Sequence, residues 1–175
     1  MKKVILGIIG ALLIAGIVYS QPANKGKVMR LMGLKATLKE MELATIQTNE
    51  NLKKIAERIK ELRSVLKESV EAKLADNKYY QEAKKELAEL KKSGKKDKWS
   101  RLHAFKLKCT IKQLQWEVIN KHEKLKMISK QIEELEKELK RGVEEALKNN
   151  KEYQRIKAEV EKLKKEVEEI RPLKY

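Results

Sequence analysis

The stretch IKELRSVLKESVEAKLADNKYYQEAKKELAELKK, residues 59–92, returns further along the chain as IEELEKELKRGVEEALKNNKEYQRIKAEVEKLKK, residues 132–165. The two segments align without a gap, and 17 of 34 positions are identical. The identities include Val70/Val143, Leu74/Leu147, Asn77/Asn150, Lys78/Lys151, Tyr80/Tyr153 and Gln81/Gln154. Both copies keep one heptad register. A heptad stripe is a narrow apolar seam that a helix buries only against another helix. The pattern therefore predicts an all-α fold, a long antiparallel coiled-coil hairpin built from two tandem ~73-residue repeats, each with a mid-helix break. A four-helix bundle of long–short helix pairs is the alternative, and a full chain reversal at Asp76 and Asn77 would favour it.

Outward from the repeat, the seam runs through Leu31, Leu38, Thr45, Leu52, Ile59 and Leu66, with Leu34, Met41, Thr48, Ile55 and Leu62 between them. The next register positions, Ser69, Lys73 and Asp76, are polar, and the apolar residues shift to Val70 and Leu74. Two steps of four swing the stripe around the helix. At Tyr80 the original register returns with Ala83, Leu87 and Leu90. A stripe that drifts and snaps back predicts a break at Asp76 and Asn77, because both residue types cap helices. The second copy drifts likewise and predicts its break at Asn149 and Asn150. Tyr80 and Tyr153 are expected to fill seam positions where the helix restarts, and Phe105 and Trp116 to pack against the partner arm.

Composition supports long helices. Charged residues are 39% and aromatics 5% of the chain, no proline lies between Pro22 and Pro172, and after Gly33 the only glycines are Gly94 and Gly142. Lys, Glu, Leu and Ile dominate, as in coiled coils. The expected organisation is a signal peptide or membrane anchor over 1–20, a polar linker over 21–27, repeat 1 over 28–92, a basic loop over 93–98, repeat 2 over 99–171 and a tail over 172–175.

Residues 4–19 are uncharged and follow Lys2 and Lys3. Sixteen helical residues would span only ~24 Å, a little short of the hydrocarbon core. Val18, Tyr19 and Ser20 offer a cleavage site before Gln21, which favours export. Lys25, Lys27, Arg30, Lys35 and Lys39, with no acid before Glu40, would instead hold a retained anchor's flank in the cytoplasm.

The net charge of +16 is concentrated. Residues 1–39 carry seven bases and no acid, and residues 91–113 carry nine bases and one acid. The shafts between are nearly neutral, as interleaved Glu and Lys on a coiled-coil flank should be. In a hairpin the two basic regions lie at opposite ends. The basic loop and its flanks are the candidate anion- or partner-binding tip: Lys91, Lys92, Lys95, Lys96, Lys98, Arg101, Lys106, Lys108 and Lys112, with Trp99 placed to insert or stack among them. The plain alternative is a solvated Lys-rich loop. An anionic membrane leaflet, an acidic wall polymer or an acidic protein segment fits such a tip. Nucleic acid fits least, since only one arginine lies in the patch.

Nothing points to catalysis. There is no Gly-rich phosphate loop, no Ser-His-Asp set and no paired Cys or His spacing, so no catalytic residue, metal ligand, cofactor or small-molecule substrate is expected. His103 and His122 read as ordinary surface or seam-edge residues, and Cys109, the single cysteine, excludes an internal disulfide. The expected function is a non-enzymatic extracytoplasmic or membrane-tethered structural protein, a tether or spacer that associates through its helices with itself or a protein partner. In size, charge and apolar leader the chain resembles, in type, the Skp class of periplasmic holdase chaperones, which implies a holdase as the alternative. That family's flanking β segments have no counterpart in the pattern here, and no residue is carried over. A cytoplasm-facing membrane-anchored adaptor is the third reading.

Overall fold

The computed structural model describes residues 22–94 and 97–169, which contain six α-helices. They are α1 (Pro22–Thr48), α2 (Glu50–Lys73), α3 (Lys78–Ser93), α4 (Lys98–Lys121), α5 (Glu123–Ala146) and α6 (Lys151–Glu169). The fold is all-α. The apolar segment 4–19, Lys95 and Lys96, and the tail 172–175 lie outside the described residues.

The sequence repeat is also a repeat of helix ends. Both bounds of α5 are those of α2 shifted by one repeat period, and α6 starts one period after α3. α1–α2–α3 and α4–α5–α6 are thus two copies of one three-helix unit. Each copy carries two interruptions rather than the one expected. The additional pair falls at Asn49 and His122, which occupy equivalent positions of the two copies. Asn49 caps α2, its Oδ1 accepting from the backbone N–H of Asn51 (3.1 Å) and Leu52 (3.2 Å). Just before it, the hydroxyls of Thr45 and Thr48 donate to the carbonyls of Met41 (2.8 Å) and Ala44 (2.9 Å). Such back-bonding competes with the helix ladder and favours a bend. Thr45 and Thr48 therefore serve the end of a helix, where a continuous seam was expected. Residues 22–27, expected as linker, already belong to α1, with Pro22 at its first position, where proline loses no hydrogen bond.

The chain divides into two compact units, residues 22–52 with 142–169, and residues 53–141. In the second unit α3 packs antiparallel on α4, and the body of α2 packs antiparallel on the body of α5. The α2–α5 contact buries Ile59, Leu62 and Ile132, flanked by Ile55, Leu66, Ile128 and Leu135. At its rim Arg63 donates to Glu136 at 2.7 Å. These two residues occupy equivalent positions of the two copies, so the repeat meets itself here. A second cluster gathers Val70, Leu74, Tyr80 and Leu125, with Ile111, Leu114 and Val118 against it.

In the first unit α1 packs antiparallel on α6. Leu31, Ile156, Val160, Leu163 and Val167 are buried, with Val28, Leu34, Leu38 and Met41 packed on them. Lys27 reaches Glu166 at 2.7 Å, and Arg30 pairs with Glu159. Exposed pairs of this kind contribute about 0–1 kcal/mol each, so the apolar seam carries the stability. Gly142 in α5 lies against Leu52, and a Cβ there would meet the Leu52 side chain. Within the first unit α1 pairs with α6, and within the second α2 pairs with α5 and α3 with α4.

Candidate functional site

The residues shared by the two copies assemble at the turns between α2 and α3 and between α5 and α6. α2 ends in a tightened turn, with Asn77 N–H donating to the Leu74 carbonyl at 3.1 Å. Asn77 is extended (φ −80°, ψ 103°) and caps α3, its side chain accepting from Tyr80 N–H at 3.0 Å. Asn150 caps α6 likewise, accepting from Tyr153 N–H at 3.0 Å. Asp76 and Asn149, the residues just before these caps, are exposed turn positions. One helical turn onward, Gln81 Nε2 reaches back to the carbonyls of Leu74 (3.3 Å) and Ala75 (3.1 Å), two of the acceptors left open where a helix ends. Gln154 does the same to Leu147 (3.4 Å) and Lys148 (3.3 Å). Val70, Leu74, Val143 and Leu147 are buried, so the shifted stripe before each break is the buried face.

Tyr80 and Tyr153 sit at the centre of these turns, 0% and 2% exposed. Lys84 lies over the Tyr80 ring (5.2 Å) and Lys157 over the Tyr153 ring (5.8 Å), both within cation–π range. The hydroxyls have different partners. Tyr80 donates to Glu71 at 2.7 Å and accepts from Gln115 at 3.1 Å. Glu71 also takes Lys84 at 2.6 Å. Tyr153 donates to Glu42 at 3.0 Å, while Glu144, the counterpart of Glu71, pairs with Lys157 at 3.4 Å. Burial pushes the Tyr153 phenol up to about 12, with the Glu42 carboxylate adding to it. Burial also raises Tyr80. Lys84 and then Tyr80 hold Glu71 below the usual carboxylate range, and Glu71 in turn raises Lys84.

The candidate tip is built from the end of α3, Gly94 and the start of α4. Gly94 closes α3 at φ 63°, a left-handed geometry that glycine adopts without a Cβ penalty. Asp97 caps α4. It accepts from Ser100 N–H at 2.9 Å and from the Ser100 hydroxyl at 2.6 Å, contacts that lower its carboxyl. The single acid of this basic region is thereby engaged in capping. Lys91, Lys92, Lys98, Arg101, Lys106, Lys108 and Lys112 are all exposed, and none forms an ion pair with a described residue. Trp99 among them is 77% exposed. His103, from the same helix, meets Glu86 of α3 at 2.6 Å across the helix pair.

Two residues depart from expectation. Trp116, expected against the partner arm, is 56% exposed. It lies on the far side of α4 from Leu107, Ile111, Leu114 and Val118, so the seam has no room for it. Phe105 is half-buried and, at 100° per residue, lies on the same side of α4 as Trp116, opposite that seam. Tyr79, beside the buried Tyr80, is 77% exposed.

Other chemistry is sparse. Among the described residues no group of His, Cys, Asp and Glu could hold a metal ion. A surface groove of about 560 Å³ between α1 and α6 is lined by Lys27, Arg30, Glu159, Lys162, Leu163 and Glu166, whose charges largely pair with each other. No helix among the described residues is long and apolar enough to cross a membrane. No protein-family model, curated protein or solved structure matches the chain.

Proposed function

We propose that this chain is a non-enzymatic helical interaction protein, a tether or spacer whose basic region around the α3–α4 connection engages an anionic partner. The observation that carries this reading is the contrast in charge pairing. Several cations of the helix pairs, such as Lys27, Arg63 and Lys84, reach carboxylates within 4 Å among interleaved acids, whereas the seven described cations of the connection reach none and share residues 91–113 with a single acid, Asp97, which is engaged in capping. Unpaired charge of one sign on one surface favours an external partner of the other sign. The extracytoplasmic or membrane-tethered placement rests on the composition of residues 4–19 alone.

The test is retention on a polyanionic resin together with capture of partners from the native membrane fraction. Replacing Lys91, Lys92, Lys98 and Arg101 with Gln should lower the salt needed for elution and reduce capture, because each ionic contact adds to the salt dependence. Elution and capture unchanged from the parent chain would reject the reading.

A further inference from the structure

We infer that the outer face of α4 is an interfacial membrane-binding surface for anionic lipid. The inference rests on the proposed role of the basic connection and names the partner as a headgroup layer with acyl chains beneath it. Leu102, Cys109 and Trp116 follow one another at seven-residue intervals on α4, and all three are exposed. Seven residues are nearly two helical turns, so the three form one stripe about 21 Å long. The stripe lies diametrically opposite Leu107, Ile111, Leu114 and Val118, which face the core. α4 is therefore apolar on two sides, and the packing of the chain uses only one.

Charge selects the occupant. At 100° per residue, Arg101, Lys108 and Lys112 run along one edge of the stripe and Lys106 along the other. The helix holds a single acid, Glu117, which accepts from Gln113 at 3.1 Å. An apolar stripe flanked by a row of three long basic side chains on one edge and a lysine on the other is the pattern of a helix lying in the plane of an anionic membrane surface. The aliphatic stems cover apolar surface while the ammonium heads reach the headgroups. Trp99, at the start of the same helix, is 77% exposed, and indole rings settle at that boundary. A partner helix would also cover the stripe, but the row of Arg101, Lys108 and Lys112 would require a matched row of acids along its edge. A lipid surface meets that requirement without a matched sequence.

The chain carries its own reporters. Its two tryptophans, Trp99 and Trp116, are both on this helix, and its single cysteine, Cys109, lies mid-stripe. The full chain is mixed with vesicles of phosphatidylglycerol and phosphatidylcholine, or of phosphatidylcholine alone. Co-sedimentation, tryptophan emission and the emission of a polarity-sensitive dye on Cys109 are recorded. Anionic vesicles should sediment the protein, blue-shift the tryptophans and brighten the dye, and neutral vesicles should do none of these. The double variant Leu102→Ser with Trp116→Ser should keep its helix content by circular dichroism and lose about tenfold or more in vesicle affinity. Lack of vesicle binding overturns the inference. So does vesicle binding that survives the double substitution but falls when Lys106, Lys108 and Lys112 become Gln, which marks adsorption without insertion. Capture of an acidic helical protein in place of vesicles overturns it as well. In all three cases the proposed function stands if the parent chain is retained on the polyanionic resin and the Lys91, Lys92, Lys98 and Arg101 substitutions weaken that retention. A parent chain that is not retained on the resin would reject both.

Discussion

The turn around Tyr80 and the turn around Tyr153 are made of the same residues, yet their hydroxyls answer to different carboxylates. In the first, Tyr80 turns to Glu71, in the helix just before the break. In the second, Tyr153 turns to Glu42, in the neighbouring helix α1. One equivalent position of the two copies decides, Glu42 in the first and Gln115 in the second. An amide at that position donates to the hydroxyl and leaves its proton for Glu71. A carboxylate there can only accept, so it takes the proton itself. Shared residues thus set the backbone of the turn, and one unshared neighbour sets the direction of its central hydrogen bond.

The largest effect should not distinguish the two turns. We predict that Tyr80→Ala and Tyr153→Ala each cost about 3–5 kcal/mol in denaturant unfolding, because each empties a buried ring site. A cost below about 1 kcal/mol at either would show that its ring is not part of the core. A reciprocal exchange should separate them. Gln115→Glu sets a second carboxylate on the hydroxyl that already serves Glu71, and one proton cannot satisfy both. It should destabilise by about 1–2 kcal/mol at neutral pH and recover as the medium is acidified. Glu42→Gln leaves Tyr153 free to use Glu144 and should cost less than about 0.5 kcal/mol. Equal costs for the two exchanges would contradict the assignment of partners. Asn77→Ala and Asn150→Ala should each cost about 1 kcal/mol, alike in the two turns, since their cap bonds are equal.

The pH dependence is smaller and opposite in range. Tyr153 is raised from 10.0 to about 12 in the folded chain. Its protonated form is favoured by folding, so this stabilisation is full below pH 10 and fades as pH rises toward 12. Tyr153→Phe should flatten that alkaline loss in unfolding curves. Glu71 is lowered from 4.5, so its contribution is present above that pH and is lost as pH falls through the lower folded value. Glu71→Gln should flatten the acid side. An acid limb untouched by Glu71→Gln would place the dependence elsewhere.

Much of this organisation is legible in the sequence. The internal repeat, the seam and the drift of the stripe at Val70 and Leu74 all follow from spacing, because helical packing depends on period more than on residue identity. Asn77 and Asn150 stand out because asparagine caps helices. Asn49 has the same chemistry, but Thr45, Thr48 and Leu52 keep the heptad count running across it, and a count cannot see threonine hydroxyls turning back to carbonyls. His122 carries no capping signature at all. The size of Trp116 suggests burial, whereas its heptad spacing, seven residues from Cys109 and fourteen from Leu102, puts it on the outer side of α4. The choice between Glu71 and Glu42 as hydroxyl partner depends on a residue 35 or 111 positions away in the chain, which no local pattern records.

The central claim, that one neighbour redirects the hydroxyl while the shared residues hold the turn, is tested most directly by paired double-mutant cycles on Tyr153. Unfolding free energies of Tyr153→Phe, Glu42→Ala and their combination, all in a Glu144→Ala background that removes the substitute acceptor, give one coupling energy, and Tyr153→Phe with Glu144→Ala in the parent chain gives the other. We predict coupling of about 1–2 kcal/mol with Glu42 and within about 0.3 kcal/mol of zero with Glu144. Coupling to Glu144 with none to Glu42 would contradict it.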